Sequence, residues 1–111
     1  MPIASESQLQ ELTAAIVRKC QPSRIVLFGS QARGNAHDDS DIDLLVVDSR
    51  PFSRVRSRRR EIAEIRRSLP PLGIPIDLLL FDDVEYQKWK ETTNHVIAEA
   101  VREGRVLHER S

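Results

Sequence analysis

The residues with the types and spacing for chemistry lie between Gly29 and Asp43. Asp41 and Asp43 flank Ile42 and open an apolar run, Leu44-Leu45-Val46-Val47. Such a run reads as a strand, whose side chains alternate between faces, so the two carboxylates point one way and Ile42 points into the core. Two carboxylates a pleat apart repel each other in a partly buried site unless a cation sits between them. Oxygen donors favour a hard cation, and Mg²⁺ commonly takes one or two carboxylates plus substrate phosphates. Upstream, Gly29-Ser30 ends the apolar stretch Ile25-Val26-Leu27-Phe28 and starts a short polar segment. A helix beginning there offers unpaired N–H groups and a favourable dipole to an anion. Gly29 lets backbone approach closely, and the Ser30 hydroxyl can donate to a phosphate oxygen. Alone, this Gly-Ser pair reads equally as a plain helix cap; the aspartates downstream favour the phosphate reading. Arg33 has two readings, a reach to a triphosphate or a pairing with the acidic loop at Asp38 and Asp39. His37, Asp38 and Asp39 read as exposed loop residues. The spacing Gly29 to Gly34 mimics a P-loop, but Asn35 and Ala36 stand where Lys and Ser or Thr are required, which excludes it.

These residues need elements to position them. Leu9, Leu12, Ile16 and Val17 recur at helical spacing from about Ser5 to Cys20, and Pro22 ends that helix ahead of the first strand. The second strand runs to a turn between Asp48 and Pro51. A helix is expected from Ser53 to Leu69, with Val55, Ile62, Ile65 and Leu69 inward. Its arginines, Arg54, Arg56, Arg58, Arg59, Arg60, Arg66 and Arg67, read as a solvated or partner-facing surface, because Phe52 is the only aromatic among them. Pro70 to Gly73 is a loop, and Ile74 to Phe81 a third strand whose one charge, Asp77, reads as an isolated buried aspartate that needs a partner, the alternative being a capping or hydrogen-bonding aspartate near a sheet edge. Asp82 or Asp83 caps a short helix through Trp89, with Val84, Tyr86 and Trp89 packing. A last helix from Asn94 to about Glu103, with Val96, Ile97, Ala100 and Val101 inward, stops at Gly104, and Val106-Leu107-His108 adds a short edge strand. Strands alternating with helices predict a single α/β domain, residues 1–111, with a small mixed β-sheet flanked by helices.

Composition narrows the function classes. Lys plus Arg and Asp plus Glu are 17 each, so no global field favours nucleic acid, and direct nucleic-acid binding is not expected. The single Cys20 can form no internal disulfide and no zinc or redox pair. No apolar stretch reaches membrane-spanning length and the N-terminus lacks signal-peptide character, so a cytoplasmic protein without membrane contact is expected.

The pattern Gly29-Ser30, a spacer from Gln31 to Ser40, then Asp41-Ile42-Asp43 resembles the signature of the DNA polymerase β-like nucleotidyltransferases. LFGSQARG at 27–34 followed by SDIDLLV at 40–46 resembles the minimal nucleotidyltransferases, the MNT proteins often paired as antitoxins with helical HEPN partners. The resemblance implies a polymerase β-type palm core using an NTP, ATP as donor, with Mg²⁺. It implies Asp41 and Asp43 bridging the metals, with Asp77 completing a three-carboxylate site and holding the metal that activates the incoming hydroxyl. Gly29, Ser30 and Arg33 would bind the nucleotide. By the same resemblance the acceptor is a protein hydroxyl, a tyrosine on a HEPN toxin partner. The rival expectation is a non-catalytic antitoxin acting by steric binding. An antibiotic-modifying type of transferase would need a further helical domain for its acceptor.

Overall fold

The computed structural model describes residues 4–34 and 41–110. His37, Asp38 and Asp39 lie outside the described residues. Helix α1 spans Glu6–Lys19, strand β1 Pro22–Phe28, the single-turn helix α2 Gly29–Arg33 and strand β2 Ile42–Asp48. They are followed by α3 Arg58–Ser68, β3 Ile76–Asp82, α4 Asp83–Trp89, α5 Val96–Glu103 and β4 Arg105–Glu109. The sheet order is β3-β2-β1-β4, with β2 and β3 parallel and the other pairs antiparallel, so the expected small mixed sheet forms.

Both faces of the sheet are covered, and the period-2 alternation along β2 assigns its side chains to two cores. Ile42, Leu44 and Val46 join Leu9, Leu12 and Ile16 of α1 and Ile65 of α3. Leu45 and Val47 join Val26 and Phe28 of β1, Tyr86 of α4 and Ile97 and Ala100 of α5. A strand buried on both faces reads as a continuous apolar run, which is the composition of β2.

Local chemistry explains the helix starts. Ser5 and Gln8 form a reciprocal capping box on α1, and Asp82 and Glu85 form one on α4. Helix α3 begins later than its periodicity suggests, because Ser57 is its cap and accepts from the Arg60 N–H. Val55 therefore lies outside the helix and is 91% exposed instead of inward. Val17, Val84 and Val101 are also exposed, at 38%, 71% and 43%, since the buried stripes of α1, α4 and α5 are narrower than the sequence pattern. Gly104 ends α5 with extended backbone at φ −84°, not in a left-handed cap. Its glycine serves close packing instead: a Cβ there would strike the Ala100 carbonyl and the Val26 side chain.

The arginines around α3 do structural work that the reading as a solvated surface overlooks. Asp48 is fully buried at the end of β2, and Arg56 Nη2 meets it at 2.5 Å while also reaching Glu61 at 2.9 Å. The Arg50 N–H donates to the same carboxylate at 2.9 Å. Arg58 bonds Glu85 at 2.5 Å and packs over the Phe52 and Phe81 rings. Burying a carboxylate is tolerable only with such partners, and these tie the α3 start to the sheet.

Candidate active site

The strand register gathers the acidic residues at one end of the sheet. Phe28 pairs with Asp43 across the antiparallel β1–β2 ladder, and Asp43 pairs with Asp77 across the parallel β2–β3 ladder. Directly opposed residues of a ladder share a face, so Asp43 and Asp77 project together where the α4/α5 core layer runs out beyond Phe28 and Leu45. Asp41 precedes β2 by one residue and is exposed; by the same alternation it lies on this face. Asp77 is also exposed. The expectation of a buried aspartate needing rescue is thus corrected: β3 is an edge strand, and Asp77 near its start is open to water.

The turn after β1 closes the other side. Gly29 has φ +74°, a left-handed conformation that favours glycine, and a Cβ built on it would run into the Asp43 carboxylate at Oδ2. Glycine is required here twice, once by the backbone and once by the carboxylate packed against it. Ser30 follows in the first turn of α2, and Arg33 at its end pairs with Glu103 of α5 at 3.4 Å. The acidic loop expected as one of the partners of Arg33, Asp38 and Asp39, lies outside the described residues. The positive charge of Arg33 still acts on Asp43 from a distance, because α2 and α5 pack together beside that carboxylate.

Electrostatics single out Asp43. Burial raises its pKa above the usual carboxylate value, the negative charges of Asp77 and Asp41 raise it further, Arg33 opposes them, and Glu99 adds to the rise. Glu99 is a contributor that motif reading passed over, and Glu103 enters through its pair with Arg33; both lie far along the chain on α5, and only the packing of α5 against α2 and β1 brings them near. They also line a hollow of about 430 Å³ at the start of α5, together with Asn94, His95 and Arg102.

Among the described residues no group of three or more His, Cys, Asp or Glu side chains closes into a metal cage. The donor set nevertheless fits one particular ion. Asp43 with a neighbouring aspartate supplies one or two hard oxygen ligands beside a turn open to phosphate, which is how Mg²⁺ is commonly held, whereas an all-protein cage suits other metals. The repulsion already raising the Asp43 pKa is what a divalent cation would relieve.

Residues 9–107 match the family model of the nucleotidyltransferase domain. The chain belongs to that family. A Methanocaldococcus jannaschii protein named as a candidate protein adenylyltransferase is 30% identical over 105 residues, 93% of this chain and 97% of the relative. The crystal structure of a candidate nucleotidyltransferase from Sulfolobus solfataricus aligns at TM-score 0.62 and 19% identity, over 94% of this chain and 79% of that one. A chain from the complex of the tri-AMPylated Shewanella oneidensis HEPN toxin with its MNT antitoxin aligns at TM-score 0.56 and 17% identity, over 95% of this chain and 72% of that one. These two structural likenesses show a shared fold. With the family model and the relative, the chain is a nucleotidyltransferase, and the α/β architecture is that of its neighbours.

Proposed function

We propose that this nucleotidyltransferase moves AMP from ATP to a hydroxyl on a protein, with a HEPN-type helical toxin as the acceptor, and that the transfer is an antitoxin step in the cytoplasm. The observation that carries the catalytic part is the register that sets Asp43 opposite Asp77 with Gly29 packed on the same carboxylate. The protein acceptor is supported by the name of the Methanocaldococcus jannaschii relative, and the toxin partner by the fold shared with the Shewanella oneidensis complex.

In this reading the Gly29-Ser30 turn receives the triphosphate through backbone N–H groups and the Ser30 hydroxyl, and Arg33 leaves Glu103 to meet phosphate charge. Asp41, Asp43 and Asp77 would hold Mg²⁺, which when bound supplies positive charge to the pentacoordinate phosphorus and the departing pyrophosphate. The exposed edge position of Asp77 leaves it accessible to an incoming hydroxyl. The acceptor hydroxyl gives up its proton to solvent as its oxygen bonds to the α-phosphorus, the bond to the bridging oxygen breaks in line, and pyrophosphate leaves. A protein that acted by steric contact alone would gain nothing from gathering like charges that raise the Asp43 pKa, so the cluster itself argues for catalysis.

The test is incubation with α-phosphate-labelled ATP, Mg²⁺ and host extract, beside an Asp41→Ala/Asp43→Ala variant. A labelled protein band that needs both aspartates is the expected result, and mass spectrometry then names the acceptor. No labelling, together with no ATP binding, would overturn the reading in favour of steric neutralisation.

A further inference from the structure

The arginines at the start of α3 divide by what they touch. Arg58 is bound to Glu85 and covers the Phe52 and Phe81 rings. Arg59 and Arg60 are exposed, and among the described residues neither side chain makes a hydrogen bond or an ion pair. Both stand in the first turn of the helix, where unpaired N–H groups and the helix dipole favour acids and disfavour cations. Their charge therefore costs α3 stability that no partner in the described fold returns. A local choice that works against the fold marks a role outside it.

The exposed side chains of α3 form two rows. Arg59 and Arg66 lie toward β3, where Arg66 Nη1 donates to the Ile76 carbonyl at 3.0 Å. Arg60 and Arg67 lie toward α1: Arg60 borders the same hollow as Lys19 and Glu64, and Glu64 joins Lys19 to Arg67. Ala63 falls between the rows and midway along them, so four arginines surround one small, exposed side chain. Members of a row are seven residues apart, about 10.5 Å along the axis. Of the two acids in α3, Glu61 is turned to Arg56, and Glu64 alone borders this face. Arg66 and Arg67 keep donors beyond the bonds they make to Ile76 and Glu64. The C-terminal end of the face reaches the candidate site, because Ile76, held by Arg66, directly precedes Asp77.

We propose that this face docks an acidic helix of the acceptor protein, which rests on the protein acceptor of the proposed function. Carboxylates on a helix repeat at the same rise, so glutamates at i, i+1, i+7 and i+8 meet the four arginines in forked pairs. Ala63 lets the two helices approach closely, with one apolar side chain of the partner resting on it. A helix docked there lies along α3 toward the β3 edge on which Asp77 is exposed, so a segment next to it reaches the acidic end of the sheet. A nucleic-acid strand fits the face less well: such strands are held by stacking bases on aromatic rings, and Phe52, the one aromatic among these arginines, is already covered by Arg56 and Arg58. An anionic membrane calls for apolar side chains to bury among the charges, and here there is only Ala63.

Fluorescence anisotropy on the full chain reads the docking. The probe is a labelled helical peptide with glutamates at i, i+1, i+7 and i+8 around one leucine, compared with the same residues in scrambled order and with a single-stranded RNA of equal charge. The expected result is tighter binding of the patterned peptide than of either comparison probe. Arg59→Glu/Arg60→Glu weakens it about tenfold, and so does Ala63→Trp, which adds bulk and leaves every charge in place. The Arg59→Glu/Arg60→Glu chain melts no lower than the parent, because acids suit the first turn of a helix. In host extract the same double variant labels the acceptor band about tenfold less, at an unchanged KM for ATP. No binding of the patterned peptide, equal or tighter binding of the scrambled peptide or the RNA, indifference of binding or labelling to the arginine reversal, indifference of binding to Ala63→Trp, or a lower melting temperature would each overturn the proposal. Absence of any labelled band with the parent chain overturns the transfer reading instead, and the anisotropy still decides the docking face.

Discussion

Strand β2 carries an aspartate at each end, and the two live in opposite environments. Asp48 is fully buried yet surrounded by donors: Arg56, Arg50 and a backbone N–H. Asp43 is only partly buried, is packed against Gly29, and faces the like charges of Asp77, Asp41 and Glu99. The parallel register repeats the contrast on β3, with Asp77 exposed beside Asp43 and Asp82 buried beside Asp48, capping α4 and accepting from the Phe52 N–H. One end of the sheet spends its carboxylates on holding the fold together. The other gathers them against one another's like charge, the arrangement that the proposed site would use to take a cation.

Swapping the consequences of the two ends is the sharpest way to break this comparison. Asp43→Asn should lower nucleotidyl transfer by about 10³-fold, the scale of several kcal/mol of transition-state charge stabilisation, while the melting temperature holds or rises. Steady-state transfer and thermal melts on the same sample decide it, and a melting temperature that falls sharply would erase the distinction between the ends. Arg56→Leu at the opposite end strands the Asp48 carboxylate and should cost about 3 kcal/mol of stability by urea unfolding, with transfer per folded molecule retained.

Gly29→Ala probes the boundary between the two behaviours. A methyl at φ +74° directed into Asp43 should cost about 1–2 kcal/mol and also depress transfer, since backbone and carboxylate must both move. Arg33→Ala is expected to change stability by less than about 0.5 kcal/mol, because its pair with Glu103 is an exposed one, and to raise the KM for ATP instead. An unchanged KM would remove Arg33 from the nucleotide site.

The smallest effect at neutral pH belongs to Cys20. Burial and the nearby Asp48 charge push its thiol up to about 12, far above the ordinary thiol value. A group whose pKa is raised by folding gives its full stabilisation below the unfolded pKa and loses it as pH climbs toward the folded one. Native protein should therefore resist a thiol reagent at pH 8 and lose stability progressively from about pH 8.5 upward, a slope that Cys20→Ala removes. Rapid native-state labelling would contradict the buried placement.

The sequence alone determined the local and periodic features of this protein. Asp41 and Asp43 lie on one face because strands alternate, Gly29-Ser30 ends a strand because glycine permits the turn, and the apolar run Leu44 to Val47 marks a strand covered on both faces. Ser5 and Asp82 announce helix starts through side-chain chemistry that needs only neighbours in the chain. What depends on residues far apart was not legible there. The arginines from Arg50 to Arg58 read as surface because their acceptors, Asp48 and Glu85, are fixed by how α3 docks. Val55 read as core because periodicity does not show that Ser57 captures the helix start. Only the tertiary structure set Asp77 opposite Asp43, brought Glu99 and Glu103 of α5 toward α2, and laid Arg66 of α3 along the outer edge of β3. Local sequence fixes which way a side chain points along its own strand, whereas the register and docking of distant segments fix what it meets.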